Sequence, residues 1–306
     1  MRKPSRIHVA QMGETSKTPV LRLVKEHKLH ELLVGSPDDR LEASGVCARG
    51  KFFYVIFDNA PHIARIDRSL SVGHKGNALL RQRGESAGFE DVTFHEGTKR
   101  FLIIIEALPF GDAYRPLIEE YDEDFRFIEY NWVDFRLPGE NKGLEGLCYV
   151  RRGKEDYVLG MCEGNRCKRG KAGRKPGGGR IQVFQKGKGQ WDHVGTLKLP
   201  KSVRFEDYAS LRVEGDRIAV VSQVTSALWI GRLSPKKLDL VDEGQTYLFP
   251  RDERGRVVYC NIEGVAWVTP SRLVVVSDKR KPGEQPKCCG PKDQSIHLFD
   301  LPRARA

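Results

Sequence analysis

The chain has 306 residues and a net charge of +11 at neutral pH. Its hydrophobic content of 39% is enough for a core, and no apolar run reaches the roughly 20 residues of a membrane-spanning helix. These values exclude an integral helical membrane protein, and the basic balance favours anionic partners or substrates. Residues 1–17 lack the apolar segment of a secretion signal, so we expect a soluble, cytoplasmic protein.

Residues 1–17 are polar and predict a flexible N-terminal segment, followed by a single domain over residues 18–306. Within that domain, one motif occurs five times at intervals of roughly 50–60 residues. It consists of an apolar residue, a glutamate, a small or acidic residue and a short apolar run. The five copies are LEASGVC, FEDVTF, LEGLCYV, FEDYASL and IEGVAWV, which begin at Leu41, Phe89, Leu144, Phe205 and Ile262.

Each copy opens a unit of up to four predicted strands. In the first unit, LEASGVCA is followed by KFFYVIFD, HIARID and a weaker strand near residues 72–80. Units of about this size are typical of propeller blades. The last unit has only three strands, and a strand near the N-terminus can complete it and so remove two open sheet edges. The sequence therefore predicts an all-β fold, a β-propeller of five blades of four antiparallel strands, with six blades as the alternative.

The repeated glutamates are expected to meet at one mouth of the central channel. The inner strand of a blade starts at the face to which the second strand returns, so residues that end the second strands share this mouth. Those residues are Asp58–Asn59, Glu106, Glu163–Asn165, Ser222–Gln223 and Ser277–Asp278. Carboxylates this close cannot all stay ionised without a cation or a pKa shift. The predicted metal ligands are Glu42, Glu90, Glu145, Glu206 and Glu263.

Calcium suits such a ring because it takes about six to eight oxygen ligands, and magnesium or manganese are alternatives. The same glutamates also have a purely structural interpretation. Each could accept hydrogen bonds from the backbone of the adjacent blade and fix the orientation of the blades without any ligand. The two interpretations are compatible, since some glutamates could brace while others bind.

Two loops after second strands carry much of the excess positive charge. They read GNRCKRGKAGRKPGGG in the third unit and KRKPGEQPKCCGPKDQ in the fifth. We predict a basic rim that holds an anionic ligand through Arg115, Arg166, Lys279 and Arg280. The alternative is a solvated, flexible loop that only keeps the protein soluble or touches nucleic acid nonspecifically. An anionic small molecule is favoured over nucleic acid as partner, with no membrane contact and a monomeric state.

The seven cysteines are expected to be reduced and mostly buried, as is usual in the cytosol. An alternative gathers four of them at the mouth as a soft-metal or disulfide site. These are Cys162, Cys167, Cys288 and Cys289.

The glutamate at the start of each inner strand, above all in YCNIEGVAWV, resembles calcium-dependent propeller hydrolases. Two families share this pattern, the five-bladed calcium-activated apyrases and the phytase-like propellers, which include esterase-like phytases. The resemblance implies calcium in an acidic channel and hydrolysis of a phosphate or other anionic ester. Only the five repeated glutamates carry over from it, as candidate metal ligands.

As a metal-dependent hydrolase, the protein would use the cation to polarise the ester and to lower the pKa of a bound water. Glu163 or Glu206 would then take the proton, and His62 is a further catalytic candidate. The alternative function is a non-catalytic binding or scaffold propeller that recognises an acidic partner.

Overall fold

The structure is a computed structural model that describes residues 18–33, 41–81, 88–137, 139, 143–279 and 286–302. Within these ranges the chain forms twenty strands and two helices of four residues, α1 (Leu29–Leu32) and α2 (Gly170–Gly173). Two 3₁₀ turns, Asn165–Cys167 and Lys287–Lys292, follow second strands. In the described part of the chain, no helix is long and apolar enough to cross a membrane.

The strands assemble into antiparallel units in chain order. The first unit is β2 (Ala43–Arg49), β3 (Phe52–Phe57), β4 (His62–Asp67) and β5 (Ala78–Arg81). The second is β6 (Phe89–His95), β7 (Arg100–Phe110), β8 (Ala113–Tyr121) and β9 (Phe127–Val133). The third is β10 (Leu144–Arg152), β11 (Glu155–Cys162), β12 (Arg180–Lys186) and β13 (Gln190–Lys198). The fourth is β14 (Ser210–Glu214), β15 (Arg217–Ser222), β16 (Ala227–Arg232) and β17 (Gln245–Leu248).

The last unit contains β18 (Ile262–Thr269), β19 (Arg272–Ser277) and β20 (Ser295–Asp300), and its fourth strand is β1 (Arg22–Lys28). β1 pairs antiparallel with β20 along its whole length. Lys28 strengthens this closure because its Nζ donates to the Gly290 carbonyl at 2.8 Å and pairs with Asp293. The prediction that an N-terminal strand completes the last unit is confirmed.

The second and third units share one eight-stranded sheet. Their outer strands, β9 and β13, run parallel and meet over only two residue pairs, Gln190 with Trp132 and Trp191 with Val133. The described residues therefore form four sheets, three of four strands and one of eight, instead of separate sheets for each unit.

The inner strands β2, β6, β10, β14 and β18 form a ring in which each contacts the next and the last contacts the first. Five hydrophobic clusters fill the spaces between neighbouring units. Phe53 and Val276, for example, belong to the cluster between the first and last units and are fully buried. Full burial of such a side chain contributes about 1.5–3 kcal/mol, so these clusters hold the ring together.

Two disulfides, Cys162–Cys167 and Cys260–Cys289, correct the expectation that the cysteines are reduced. Cys162 and Cys167 do gather after the second strand of the third unit, but Cys289 pairs with Cys260, which the sequence did not single out. Cys47, Cys148 and Cys288 are free thiols. Disulfides are rare in the cytosol, so this pattern does not favour the cytoplasmic location that we expected.

Candidate functional site

Three inner strands carry a β-bulge at the repeated glutamate. In the second unit, Phe89 and Asp91 pair with consecutive residues of β7, so Glu90 between them has no partner. The same shift in register falls at Glu145 in β10 and at Glu263 in β18. A bulge re-aims the side chain of the extra residue. All three glutamates line one cavity.

The first unit has a serine at the equivalent position. Ala43 and Gly45 pair with consecutive residues of β3, so the bulged residue is Ser44. Glu42 lies two residues earlier and also lines the cavity, but from a different position of the unit. Ser44 is only 7% exposed, and its hydroxyl oxygen has no hydrogen-bond partner.

The fourth unit has no acid at the equivalent position. Ser210 pairs with Val221, and this register places Ala209 where the other units have the bulged residue. Glu206 is three residues away from Ala209 and is not among the residues that line the cavity, whereas Asp207 is. The sequence motif therefore matched Glu206 with the other glutamates, but Glu206 does not occupy the equivalent position in the structure.

Residues at the ends of the second strands complete the wall of the cavity. Of the residues predicted there, Asp58, Glu106, Glu163, Gln223 and Asp278 line it, whereas Asn59, Asn165, Ser222 and Ser277 do not. Four of the lining residues directly follow β3, β11, β15 or β19, and Glu106 lies at a register shift within β7. The carboxyl groups of one cavity therefore come from every unit of the ring.

The cavity has a volume of about 240 Å³ and is lined by nine carboxylates. Among its lining residues in the described ranges there is no lysine, arginine or histidine. The carboxylates are Glu42, Asp58, Glu90, Glu106, Glu145, Glu163, Asp207, Glu263 and Asp278.

Burial raises the pKa of Glu90, Glu145 and Glu263 well above the usual range, and neighbouring carboxylates raise it further. The carboxyl groups of Glu90 and Glu145, from adjacent units, are hydrogen-bonded to each other. Such a contact requires a proton on one of the two groups. Glu263 accepts a hydrogen bond from the side-chain amide of Gln223. In the absence of a cation, the cavity is thus expected to retain protons at neutral pH.

Asp207 shows that one carboxylate of the cavity acts as a brace. Both of its oxygens accept hydrogen bonds from the Val224 N–H at 3.1 Å, and Ser222 Oγ donates to Oδ1. Burial outweighs these bonds and raises the pKa of Asp207 to about 6. These bonds stay within the fourth unit, so Asp207 fixes the end of β15 and is not the expected brace between adjacent units.

A buried ion pair lies beside the cavity, and its acid, Asp91, is the residue that follows Glu90 on β6. Arg212, on β14, contacts Asp91 on β6 at 3.3 Å. Its guanidinium also donates to the carbonyls of Val46 and Val92 at 3.1 and 2.7 Å, and to that of Val265 at 3.3 Å. One side chain therefore connects the inner strands of four units across the channel.

Asp91 extends this network to the remaining unit. Its Oδ2 accepts hydrogen bonds from the Leu147 N–H at 3.0 Å and from Ser210 Oγ at 2.7 Å. Burial raises the pKa of Asp91 to about 6, while Arg212 and these hydrogen bonds act in the opposite direction. Asp91 is therefore ionised at neutral pH, and the pair is a structural plug beside the acidic cavity.

The predicted rim residues do not line the cavity. Arg115 pairs with Asp134 at 3.3 Å and lies over the Phe110 ring at 4.4 Å. Arg166 and Lys279 are exposed, three residues after Glu163 and directly after Asp278 respectively.

The remaining catalytic candidate and the last rim residue also lie away from the lining residues. His62 begins β4 and is not part of the cavity wall. Arg280 lies outside the described residues. In the part of the chain that the structure describes, no three His, Cys, Asp or Glu side chains are already grouped to hold a metal ion.

No protein-family model matches the sequence, and no curated protein matches it. Among solved structures, the chain is similar to a GH43_1 enzyme from Xanthomonas citri complexed with xylose, with a TM-score of 0.50 and 10% identity over 90% of this chain and 92% of that chain. It is also similar to regucalcin, a calcium-binding protein from Agrobacterium tumefaciens, with a TM-score of 0.49 and 9% identity over 93% and 95% of the two chains. These neighbours are β-propellers.

The fold is a β-propeller. A third similar structure is the PQQ-bound aldose sugar dehydrogenase from Streptomyces coelicolor, with a TM-score of 0.48 and 13% identity over 91% of this chain and 98% of that chain. At such low identity the likeness concerns the propeller fold alone, because one fold hosts many unrelated functions. The chemistry has to be argued from the cavity.

Proposed function

We propose that this propeller has five blades and binds a divalent cation, with calcium preferred, in its acidic cavity. The ring of five inner strands and the five clusters between units support the blade count, with the eight-stranded sheet counted as two blades. One observation carries the cation site. Glu90, Glu145 and Glu263 occupy the same bulge in three blades, and they face one another, other carboxylates and Gln223.

The donor set fits a hard cation. All the side chains that could approach it offer oxygen, which suits calcium, magnesium or manganese better than zinc. Glu90, Glu145 and Glu263 would supply the charged ligands. Ser44 and Gln223 would supply neutral oxygens. The buried hydroxyl of Ser44 has no hydrogen-bond partner, so binding a cation would break no existing bond there. The side chains would converge on binding, and the proton between Glu90 and Glu145 would leave.

We further propose that the protein hydrolyses a small phosphate or other anionic ester at this mouth. A bound divalent cation supplies Lewis acidity and a more acidic water. Glu163 lines the cavity and would accept a proton, whereas Glu206 is not among the lining residues. Arg166 and Lys279 are exposed and close in sequence to Glu163 and Asp278, so they would meet an anionic group at this mouth.

Calorimetric titration of chelator-stripped protein with calcium, magnesium and manganese tests the cation site. We expect calcium binding that Glu145→Gln with Glu263→Gln abolishes. The matched control is Glu214→Gln with Glu253→Gln, which removes two exposed carboxylates and should leave the affinity unchanged. Equal affinities of both variants would overturn the proposed site.

Turnover is tested separately with chromogenic phosphate monoesters and diesters, with and without the bound ion. We expect cation-dependent hydrolysis that Glu163→Gln reduces by about 100-fold or more, as is typical when a general base is lost. Cation binding without any turnover would instead support the alternative of a non-catalytic propeller. In that case the ion would only neutralise and stiffen the ring.

A further inference from the structure

The loop of residues 164–179, which we call the basic loop, concentrates exposed positive charge on one surface. It follows β11 and contains no acidic residue. Six of its cations are exposed, namely Arg166, Lys168, Arg169, Lys171, Arg174 and Lys175.

A neighbouring segment enlarges this surface. Residues 198–204 pack beside the basic loop, since the Leu199 N–H donates to the Gly179 carbonyl at 3.1 Å. Gly177 also approaches the backbone of Lys201 so closely that an added Cβ would lie 3.3 Å from its carbonyl oxygen. Lys201 and Arg204 are exposed, and this segment too has no acidic residue. Two separate stretches therefore form one continuous basic patch.

The basic loop is held in place from within. Asn165 is fully buried, and its Nδ2 donates to the carbonyls of Gly173 and Phe205 at 2.9 and 3.1 Å. Its Oδ1 accepts from the Gly178 N–H at 2.8 Å and from the Tyr208 hydroxyl at 3.0 Å. The Cys162–Cys167 disulfide fixes the start of the loop. A braced loop loses little conformational entropy when it binds a ligand.

Most cations of the patch have no counter-charge, and Glu243 reaches its edge by accepting a hydrogen bond from Ser202 Oγ at 2.7 Å. Within the described ranges, Arg166, Lys168, Lys171, Arg174, Lys175, Lys201 and Arg204 form no ion pair. Several arginines outside the patch are paired, as Arg232 is with Asp216 and Arg272 with Asp300, both at 2.7 Å. An uncompensated cluster of this kind repels itself unless a polyanion neutralises it.

We propose that this basic patch binds the phosphate backbone of nucleic acid without reading its sequence. Backbone binding needs cations and exposed N–H groups, and it needs no apolar anchor. The exposed residues of the loop are Lys, Arg, Gly and Ala, so it lacks the aromatic anchors that dominate protein–protein hot spots. It also lacks aromatic residues on which bases could stack, so affinity rests on charge.

Fluorescence anisotropy with a labelled 20-nucleotide single strand and the matching duplex tests this proposal. The assay contains chelator, so its result does not depend on a cation in the cavity. The test variant reverses three charges of the loop, Lys168→Glu, Lys171→Glu and Lys175→Glu. The control reverses three exposed lysines in turns and loops at the opposite ends of the strands, Lys188→Glu, Lys236→Glu and Lys237→Glu. Both variants have the same net charge.

We expect the loop variant to weaken binding by at least about tenfold at low salt and to reduce the slope of log Kd against log salt by about 2–3, roughly one per lost phosphate contact. The control should stay within about threefold of the native protein. Equal losses in both variants would overturn the proposal, because binding would then follow net charge. Equally tight binding to poly-glutamate or to anionic lipid vesicles, with the same dependence on the loop, would also overturn it.

Discussion

Two sets of buried carboxylates lie side by side along the axis of this propeller, and their surroundings are of opposite kinds. Asp91 has a guanidinium, a hydroxyl and two backbone N–H groups around it. Glu90, its neighbour in the chain, faces Glu145 and other acids. The first set connects the inner strands of all five units, while the second leaves like charges together.

This contrast separates scaffold from site. A buried charge is costly unless it is paired and hydrogen-bonded, so a charge that stabilises the fold is expected to have its ion-pair and hydrogen-bond partners within the protein. Asp91 does so. The glutamates of the cavity repel one another instead, and such strain is expected where a ligand supplies the missing charge. The two sets should therefore respond oppositely when a charge is removed.

The largest effect should come from Arg212→Met. This change leaves Asp91 buried without its cation and removes the hydrogen bonds to three inner-strand carbonyls. Breaking a buried pair in this way costs about 3–5 kcal/mol of unfolding free energy. Urea denaturation measures it, with Arg232→Met as control, because the exposed pair of Arg232 with Asp216 should contribute under about 1 kcal/mol. Similar losses in both variants would contradict the role of the plug.

A smaller change in stability, of opposite sign, is expected when carboxylates are removed from the cavity. Glu145→Gln with Glu263→Gln should raise the melting temperature of the chelator-stripped protein at pH 7. Both groups have a raised pKa in the folded state, so above the usual pKa of glutamate each one opposes folding, and glutamine, which does not ionise, removes that cost. Thermal melting without calcium measures the gain in stability, and melting with calcium measures the loss of the calcium-dependent stabilisation. A destabilised variant would mean that these glutamates are braces.

Glu26, a half-buried carboxylate, sharpens the comparison because, like Asp91, it has hydrogen-bonding and cationic partners. Burial acts to raise its pKa, but hydrogen bonds from His297 and Lys292 outweigh burial and lower the pKa to about 2. Since this value lies below the usual 4.5, Glu26 stabilises the fold above about pH 4.5, and the contribution disappears as the pH falls towards about 2.

Glu26→Gln should therefore flatten the loss of melting temperature between pH 4.5 and 2, and it should loosen the closure between β1 and β20. Glu253→Gln, at an exposed position, is the control and should retain the native profile. If Glu26→Gln and the native protein lost stability in parallel over this range, the pairing of Glu26 would have no energetic weight.

The smallest change in stability is expected for Ser44→Ala, with Ser226→Ala as a matched control. Both hydroxyls are buried and without partners, but only Ser44 lines the cavity. Loss of an unsatisfied hydroxyl should change the unfolding free energy by less than about 1 kcal/mol, and the change could favour folding. Calcium affinity should fall several-fold in Ser44→Ala and stay constant in Ser226→Ala. Calorimetry that shows no difference would remove Ser44 from the site.

The local sequence was sufficient to predict the units, their strands and the ends of the second strands. An apolar run between turn residues is a local pattern, and five copies of it leave little freedom in the order of the strands. The register of the inner strands was not predictable in the same way. FED occurs at both Phe89 and Phe205, yet Glu90 lines the cavity in the second unit and Asp207 does so in the fourth.

The number of residues between the motif glutamate and the end of the inner strand differs between units, so spacing alone could not reveal that the bulge falls on Ser44 or that Ala209 takes the equivalent position. The sequence also showed no sign of the pair between Asp91 and Arg212, which are separated by more than a hundred residues. Nor did it single out Cys260 as the partner of Cys289.

The sequence by itself determined an all-β ring of repeated units, closed by its N-terminal strand, with an acidic mouth. These properties follow from periodic patterns that each unit carries independently. Only the tertiary structure decided which carboxylates are paired and which are left to face one another. That distinction arises where strands from different units meet at the axis, and a single residue of register there moves a side chain from the plug to the cavity.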